Sequence, residues 1–246
     1  MAHDPLETYP PLNTLKPVAK DLWIVDGPVI KFGPLGLRMK FPTRMTIMGA
    51  GARDLLIHSP TPLSAQLRAE IAQIGIPRWI VGPNRIHYWW IPDWHAAFNE
   101  ADIYLAPRIR EQAGDRIRFP SRTLDAAAGY PWDDSIDTLS VTGRYMTEVV
   151  FFHRASKTLV LTDLIENFEP AKLGSRAMRW LVKLGGADGG MPRDLRMTFA
   201  GRRQHLQAAI RRMIAWNPER IIVAHGQWYE RNGADELRRV FRWLLD

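Results

Sequence analysis

Two short apolar runs, residues 149–152 (Val-Val-Phe-Phe) and 159–161 (Leu-Val-Leu), flank the polar stretch His153-Arg-Ala-Ser-Lys157. That pattern predicts a β-hairpin. Its strands are apolar at consecutive rather than alternate positions, so both faces are expected to be covered. The second strand runs into Thr162-Asp163. A carboxylate at the end of a buried strand is costly without a cation or donors. Asp163 is therefore the leading candidate site residue, and a cap for a following helix is the alternative role.

The same reading extends along the chain. Residues 1–20 hold Pro5, Pro10, Pro11 and Pro17, and read as an extended N-terminal arm ahead of a single domain over 21–246. Apolar runs at 21–26, 44–48 and 54–58 predict strands, the first stopped by Gly27-Pro28, with a turn at 33–36. Consecutive hairpins imply an antiparallel opening sheet. The period then changes. Ser64 is set as an N-cap before Leu67, Ile71 and Ile74, with Gly75 as the stop. Helix, strand, loop, helix and strand over 64–106 predict an α/β unit. Further strands are expected at 138–142 and 221–224, with helices at 108–112, 175–183, 193–216 and 234–245. The glycines at 185–190 lack a following Gly-Lys-Ser/Thr, so they are not read as a phosphate loop.

Composition narrows the chemistry. The chain has 246 residues, 46% of them hydrophobic, and no cysteine. Any metal must therefore take His, carboxylate or water ligands. No apolar run is long enough to span a bilayer, and a cytoplasmic location is expected. The formal net charge is +7, with arginine pairs at 202–203, 211–212 and 238–239. Those pairs fall on expected helices and read as a solvated face. Polyanion binding through 193–216 is a weaker alternative. No nucleic-acid motif accompanies them, so nucleic acid is not an expected partner.

Four apolar strands deliver a polar residue at or just past their C-terminal ends: His58, Asn84 with His87, Asp163, and His225. Strand ends are where sheet scaffolds place sites. His and Asp are ligands that zinc, iron and manganese accept. Tyr88, Trp89, Trp90 and Trp94 crowd the segment after His87. They read as core, or as the wall of an apolar pocket if Trp89 and Trp90 are exposed. His153, in the hairpin, is expected to make a structural hydrogen bond. Asp93 and His95 point to different helix faces and are poor co-ligands.

The chain resembles the metallo-β-lactamase superfamily, and more closely a divergent branch of it. The resemblance rests on Arg44-Met-Thr, Leu56-Ile-His58-Ser-Pro60, Pro83-Asn84 with His87, Glu148 with Phe151-Phe-His153-Arg, Thr162-Asp163-Leu164 and Ala224-His225-Gly226. It covers roughly residues 20–245. It implies an α/β fold, a four-layer αββα sandwich with its site at one sheet edge. Thr162-Asp163-Leu164 matches the superfamily's Gly-Asp-Leu, and Ala224-His225-Gly226 matches its last metal-binding His. The His-x-His-x-Asp-His loop is reduced here to Asn84 and His87. Arg144 stands where the third His motif is expected, with Glu148 nearby.

A full two-metal site is therefore not encoded. The resemblance implies at most a mononuclear centre of His87, Asp163 and His225, holding one zinc, iron or manganese ion, or none. His58 and Glu148 are the candidate catalytic groups. Asn84, Trp89, Trp90 and Arg144 are the candidate substrate contacts. The implied function is metal-assisted hydrolysis of a small-molecule ester, amide or related bond. The alternative is a metal-free, degenerate member that binds a ligand or a partner. Oligomeric state is left open.

Overall fold

The structure, a computed structural model, describes residues 9–32, 39–169, 172 and 176–246. Residues 1–8 of the expected arm and the expected turn at 33–36 lie outside them. In chain order the elements are β1 (Lys16–Ala19), β2 (Leu22–Phe32), β3 (Met39–Gly49), β4 (Asp54–His58), α1 (Ala65–Ile74) and β5 (Ile76–Gly82). There follow α2 (Ile91–Ala97), β6 (Asp102–Leu105), α3 (Ile109–Ala113), β7 (Arg122–Thr123), β8 (Ile136–Thr142), β9 (Thr147–His153) and β10 (Thr158–Val160). The remainder is β11 (Glu166–Asn167), α4 (Arg176–Gly185), β12 (Asp188–Gly190), α5 (Arg193–Met197), α6 (Arg203–Ala215), β13 (Arg220–Ile222), α7 (Gly233–Val240) and α8 (Arg242–Leu245).

Among the described residues β1 to β7 form one sheet in sequence order, and β13-β10-β9-β8 form a second. The change of period at Ser64 marks a change of pairing: β1 to β4 are antiparallel neighbours, while β4, β5, β6 and β7 pair in parallel. Ser64 Oγ accepts from Leu67 N and Gly75 ends α1, as its sequence signals require.

The hairpin of β9 and β10 shows why its strands are apolar throughout. Val149 and Phe151 face the first sheet, in one core with Ile47, Ile57 and Ile80. Val150 and Phe152 face the other way, onto Leu206, Ile210 and Met213 of α6. The first core also takes in Leu67 and Ile71 of α1 and Ile91 and Trp94 of α2. The result is the four-layer helix, sheet, sheet, helix arrangement expected.

Several boundaries differ from those the pattern predicts. Gly27-Pro28 does not stop the second strand; β2 runs through with a register shift between Gly27 and Ile30. A bulge lets a strand carry a Pro without losing its ladder. The last residues of the arm pair with β2 as β1. The helix expected over 193–216 is two, α5 and α6. Between them Gly201 adopts φ 77°, a left-handed conformation that ends helical propagation. Much of the arginine-rich stretch is occupied within the fold: Arg203 donates to the Trp243 carbonyl and Arg196 stacks on the Trp243 ring. No helix among the described residues is long and apolar enough to cross a membrane.

Candidate metal centre

The site forms where both sheets end. Past β5 the chain turns at Pro83-Asn84. Asn84 Oδ1 accepts the backbone amides of Ile86 and His87, a local turn that swings the His87 ring inward. His87 Nδ1 pairs with Ser59 Oγ at 2.7 Å, just beyond β4. Asn84 Nδ2 donates to Thr162 Oγ1 and to Asp163 Oδ2, so one side chain links two of the site's loops.

Asp163 lies in the loop after β10. That loop is wrapped around the Glu148 carboxylate, which accepts the amides of Thr162, Asp163 and Leu164 at 2.7, 2.8 and 3.0 Å. Past β13 comes His225, whose Nδ1 faces the Pro42 carbonyl of β3 at 2.6 Å. A carbonyl can only accept, so Nδ1 carries a proton and Nε2 is the nitrogen turned to the site. Gly226 follows at φ 90°, where a Cβ would strike the Asn167 carbonyl.

The three side chains converge. His87 Nε2 lies 3.3 Å from Asp163 Oδ2, and His225 Nε2 lies 3.2 Å from Asp163 Oδ1. One ligand atom from each residue falls within 4.8 Å of the others. Zinc bonds of about 2.0–2.1 Å place tetrahedral ligands roughly 3.4 Å apart. The donor set suits one transition-metal ion, and its two His–Asp separations are close to that spacing. Each His also has its second nitrogen held by Ser59 or Pro42, the usual way a protein orients metal-binding imidazoles.

The electrostatics are strongly coupled. Burial works to raise the Asp163 carboxyl, but the charge of His87 and the hydrogen bonds of both histidines outweigh it and hold it well below the carboxylate range. Burial works to lower His225, but its hydrogen bond and charge attraction to Asp163 leave it raised. Burial and the Asp163 charge push Glu148 up to about 7 against its three amide donors.

A cavity of about 750 Å³ opens over this cluster, lined by His87, Asp163 and His225 together with Trp89 and Trp90. His58, Asn84, Glu148 and Arg144 are not among its lining residues. His58 is buried edge-on to Phe151 with centroids 5.3 Å apart, and neither ring nitrogen has a partner among the described residues. Burial and the nearby His87 push it down to about 3, so it is neutral. Arg144 is exposed, its guanidinium against Gly201. His153 makes its expected structural bonds, to Ser156 Oγ and the Gly49 carbonyl.

Two carboxylates that the sequence reading passes over, Glu166 and Asp194, line the cavity. Burial pushes Glu166 up to about 8 against the attraction of His225, with the Asp163, Asp194 and Glu148 charges adding to the rise. The available signal was its position three residues past Asp163. Among the described residues no Lys or Arg lines the cavity. Arg116 and Arg85 instead stack on the rings of Trp89 and Tyr145, at 5.6 and 4.6 Å.

Residues 33–173 match the family described as a domain of unknown function, DUF4336. No curated protein matches the chain. The solved structure of the metallo-β-lactamase DIM-1 exposed to ceftazidime is 12% identical, covering 94% of this chain and 96% of its own, with a TM-score of 0.61. A metallo-β-lactamase from Pontibacter korlensis is 10% identical over 93% and 98%, with a TM-score of 0.58. The metallo-β-lactamase FIM-1 from Pseudomonas aeruginosa in its mono-zinc form is 12% identical over 94% and 95%, with a TM-score of 0.54. Likeness at these identities carries the fold, a metallo-β-lactamase fold.

Proposed function

The chain belongs to the DUF4336 family, on a metallo-β-lactamase fold, and from that premise we propose that it is a single-metal hydrolase acting on a small apolar ester or amide. The observation that carries this reading is the convergence of His87, Asp163 and His225, each offering one donor atom at the floor of the cavity. A metal bound there would polarise the scissile carbonyl and lower the pKa of a bound water.

The chain's own residues supply the rest. Ser59 and Pro42 orient the two imidazoles, and Asn84 and Glu148 hold the Asp163 loop. This makes Glu148 a positioning residue, since both its oxygens are taken by backbone amides. Glu166 faces the cavity, and in the metal-free protein burial raises its carboxyl to about 8. It is the group placed to protonate a leaving atom. Trp89, Trp90 and Met146 take the apolar part of the substrate. A lining without Lys or Arg among the described residues favours an uncharged or cationic molecule over a carboxylate. The absence of cysteine fits a cytoplasmic setting.

A second reading has its own support. Asp163 is already satisfied by Asn84, His87 and His225, so the same residues can stand as a metal-free network under a ligand pocket. Elemental mass spectrometry on tag-free protein separates the two. About one zinc, iron or manganese per chain, lost in Asp163→Ala and His225→Ala, is the expected result. No metal after incubation with excess ions would overturn the hydrolase reading and leave the ligand-binding one.

A further inference from the structure

Helix α4 carries three large apolar residues on its outside. Trp180, Leu181 and Leu184 are 63%, 43% and 43% exposed, three of the six large apolar side chains this open among the described residues. At positions i, i+1 and i+4 they share one side of the helix. Arg176, Arg179 and Lys183, at i, i+3 and i+7, form a second stripe beside them, and the helix has no acidic residue. Val182, on the opposite side, is buried in a small cluster with Phe168 and Ala187 that packs on Val29 and Phe41. A core helix buries its Trp and Leu residues and exposes its polar ones; here the apolar stripe faces water.

A contiguous apolar face rimmed by cations has the make-up of a helix that lies in a membrane interface. Trp is the side chain best suited to the headgroup level, with an apolar ring and a polar N–H. We propose that α4 is a docking face for an anionic lipid bilayer, with Trp180, Leu181 and Leu184 entering the interface and Arg176 and Lys183 meeting the lipid phosphates. Charge selects this occupant. A second copy seated on the same face would set Arg176 and Lys183 of each helix against their mates, which is repulsive. A lipid phosphate surface complements them, and the chain's net charge of +7 attracts it from a distance. The helix is short and anchored along one edge by Val182, so it lies on the bilayer rather than crossing it.

The test is flotation of the full chain with vesicles of phosphatidylcholine alone and of phosphatidylcholine mixed with phosphatidylglycerol. Partition onto the anionic vesicles, and little onto the neutral ones, is expected. Trp180→Ser combined with Leu184→Ser should lower the partition coefficient at least about tenfold. Arg176→Gln and Lys183→Gln should each lower it about fivefold, and added salt should act in the same direction. Trp180→Leu should keep most of the binding, which guards against a variant that merely fails to fold. Equal partition onto both vesicle types, no partition at all, or an unchanged double variant would overturn the proposal. So would a dimer in sedimentation equilibrium that the same double variant dissociates, because a second copy would then cover the face.

Discussion

His225 meets Asp163 through Nε2 at 3.2 Å while its Nδ1 is turned to the Pro42 carbonyl. The Asp163 carboxylate holds a proton on the imidazole beyond its ordinary range, so His225 is raised. A metal needs that nitrogen bare. Zinc binding should therefore release one proton from His225, and affinity should weaken about tenfold per pH unit below the raised value. In metal-free protein the sign is opposite. The His225 contribution to stability is full below its unfolded pKa and is lost as pH rises through the folded one. Zinc titrations across pH in weakly buffered solution check both the affinity and the proton count. An affinity unchanged from about pH 6 to about pH 8 would remove His225 from the ligand set.

Glu148 is the support on which the Asp163 loop is folded. Its two oxygens receive three consecutive amides. Glu148→Gln replaces one acceptor oxygen by an NH₂ group that would point at N–H donors. The expected cost is about 1–3 kcal/mol of stability, since a buried N–H donor then faces an NH₂ group instead of an acceptor. Zinc affinity should fall about 10–100-fold, as for other groups that hold a ligand in place. Urea unfolding and a zinc titration read the two effects separately. A variant that keeps both would show that the loop stands without the carboxylate.

The paired sheets were legible because β9 and β10 are apolar at successive positions, and two-sided burial demands that pattern. The convergence of His87, Asp163 and His225 was legible as strand-end residues on separate elements. What the pattern hid is long-range. Nothing local says that Glu148 faces three amides of the next loop rather than a substrate, or that His58 is sealed beneath the cavity against Phe151. Glu166 and Asp194 reach the cavity from β11 and α5, short elements with little periodicity to detect. The break at Gly201 was passed over because the apolar stripe of 206–214 read on through it; its positive φ belongs to the backbone, not to the hydrophobic pattern.

His58 makes the protein sensitive to acid. Its imidazole is pushed from 6.5 down to about 3, with no partner for either nitrogen among the described residues. The unfolded chain takes up that proton below 6.5 and the native state does not until about 3, so stability falls across this window as pH drops. His58→Leu removes the group and two unpaired polar atoms at once. Its stability relative to the parent should rise by about 2 kcal/mol between neutral pH and about pH 5. Thermal melts of both proteins over that range test it. Parallel pH profiles would mean that His58 titrates normally.

Arg44 is the tie between the first sheet and the site. From β3 its Nε and Nη2 reach Asp26 Oδ1 at 2.9 and 2.8 Å, and Nη1 donates to the carbonyls of Val223 and Gly226, each at 2.8 Å. Those two carbonyls bracket His225. A guanidinium can hold a carboxylate with one edge and two carbonyls with another; an ammonium on a single stem cannot. Arg44→Lys should keep a charge beside Asp26, which also retains Lys16 at 2.8 Å, while releasing the His225 segment. Arg44→Met leaves Asp26 with Lys16 alone and should cost about 3 kcal/mol, near the lower range for breaking a buried ion pair. The two variants should therefore part company in stability, with Lys the milder, yet lose zinc affinity alike, by about tenfold or more. Zinc affinity preserved in Arg44→Lys would show that Pro42 alone holds His225 in place.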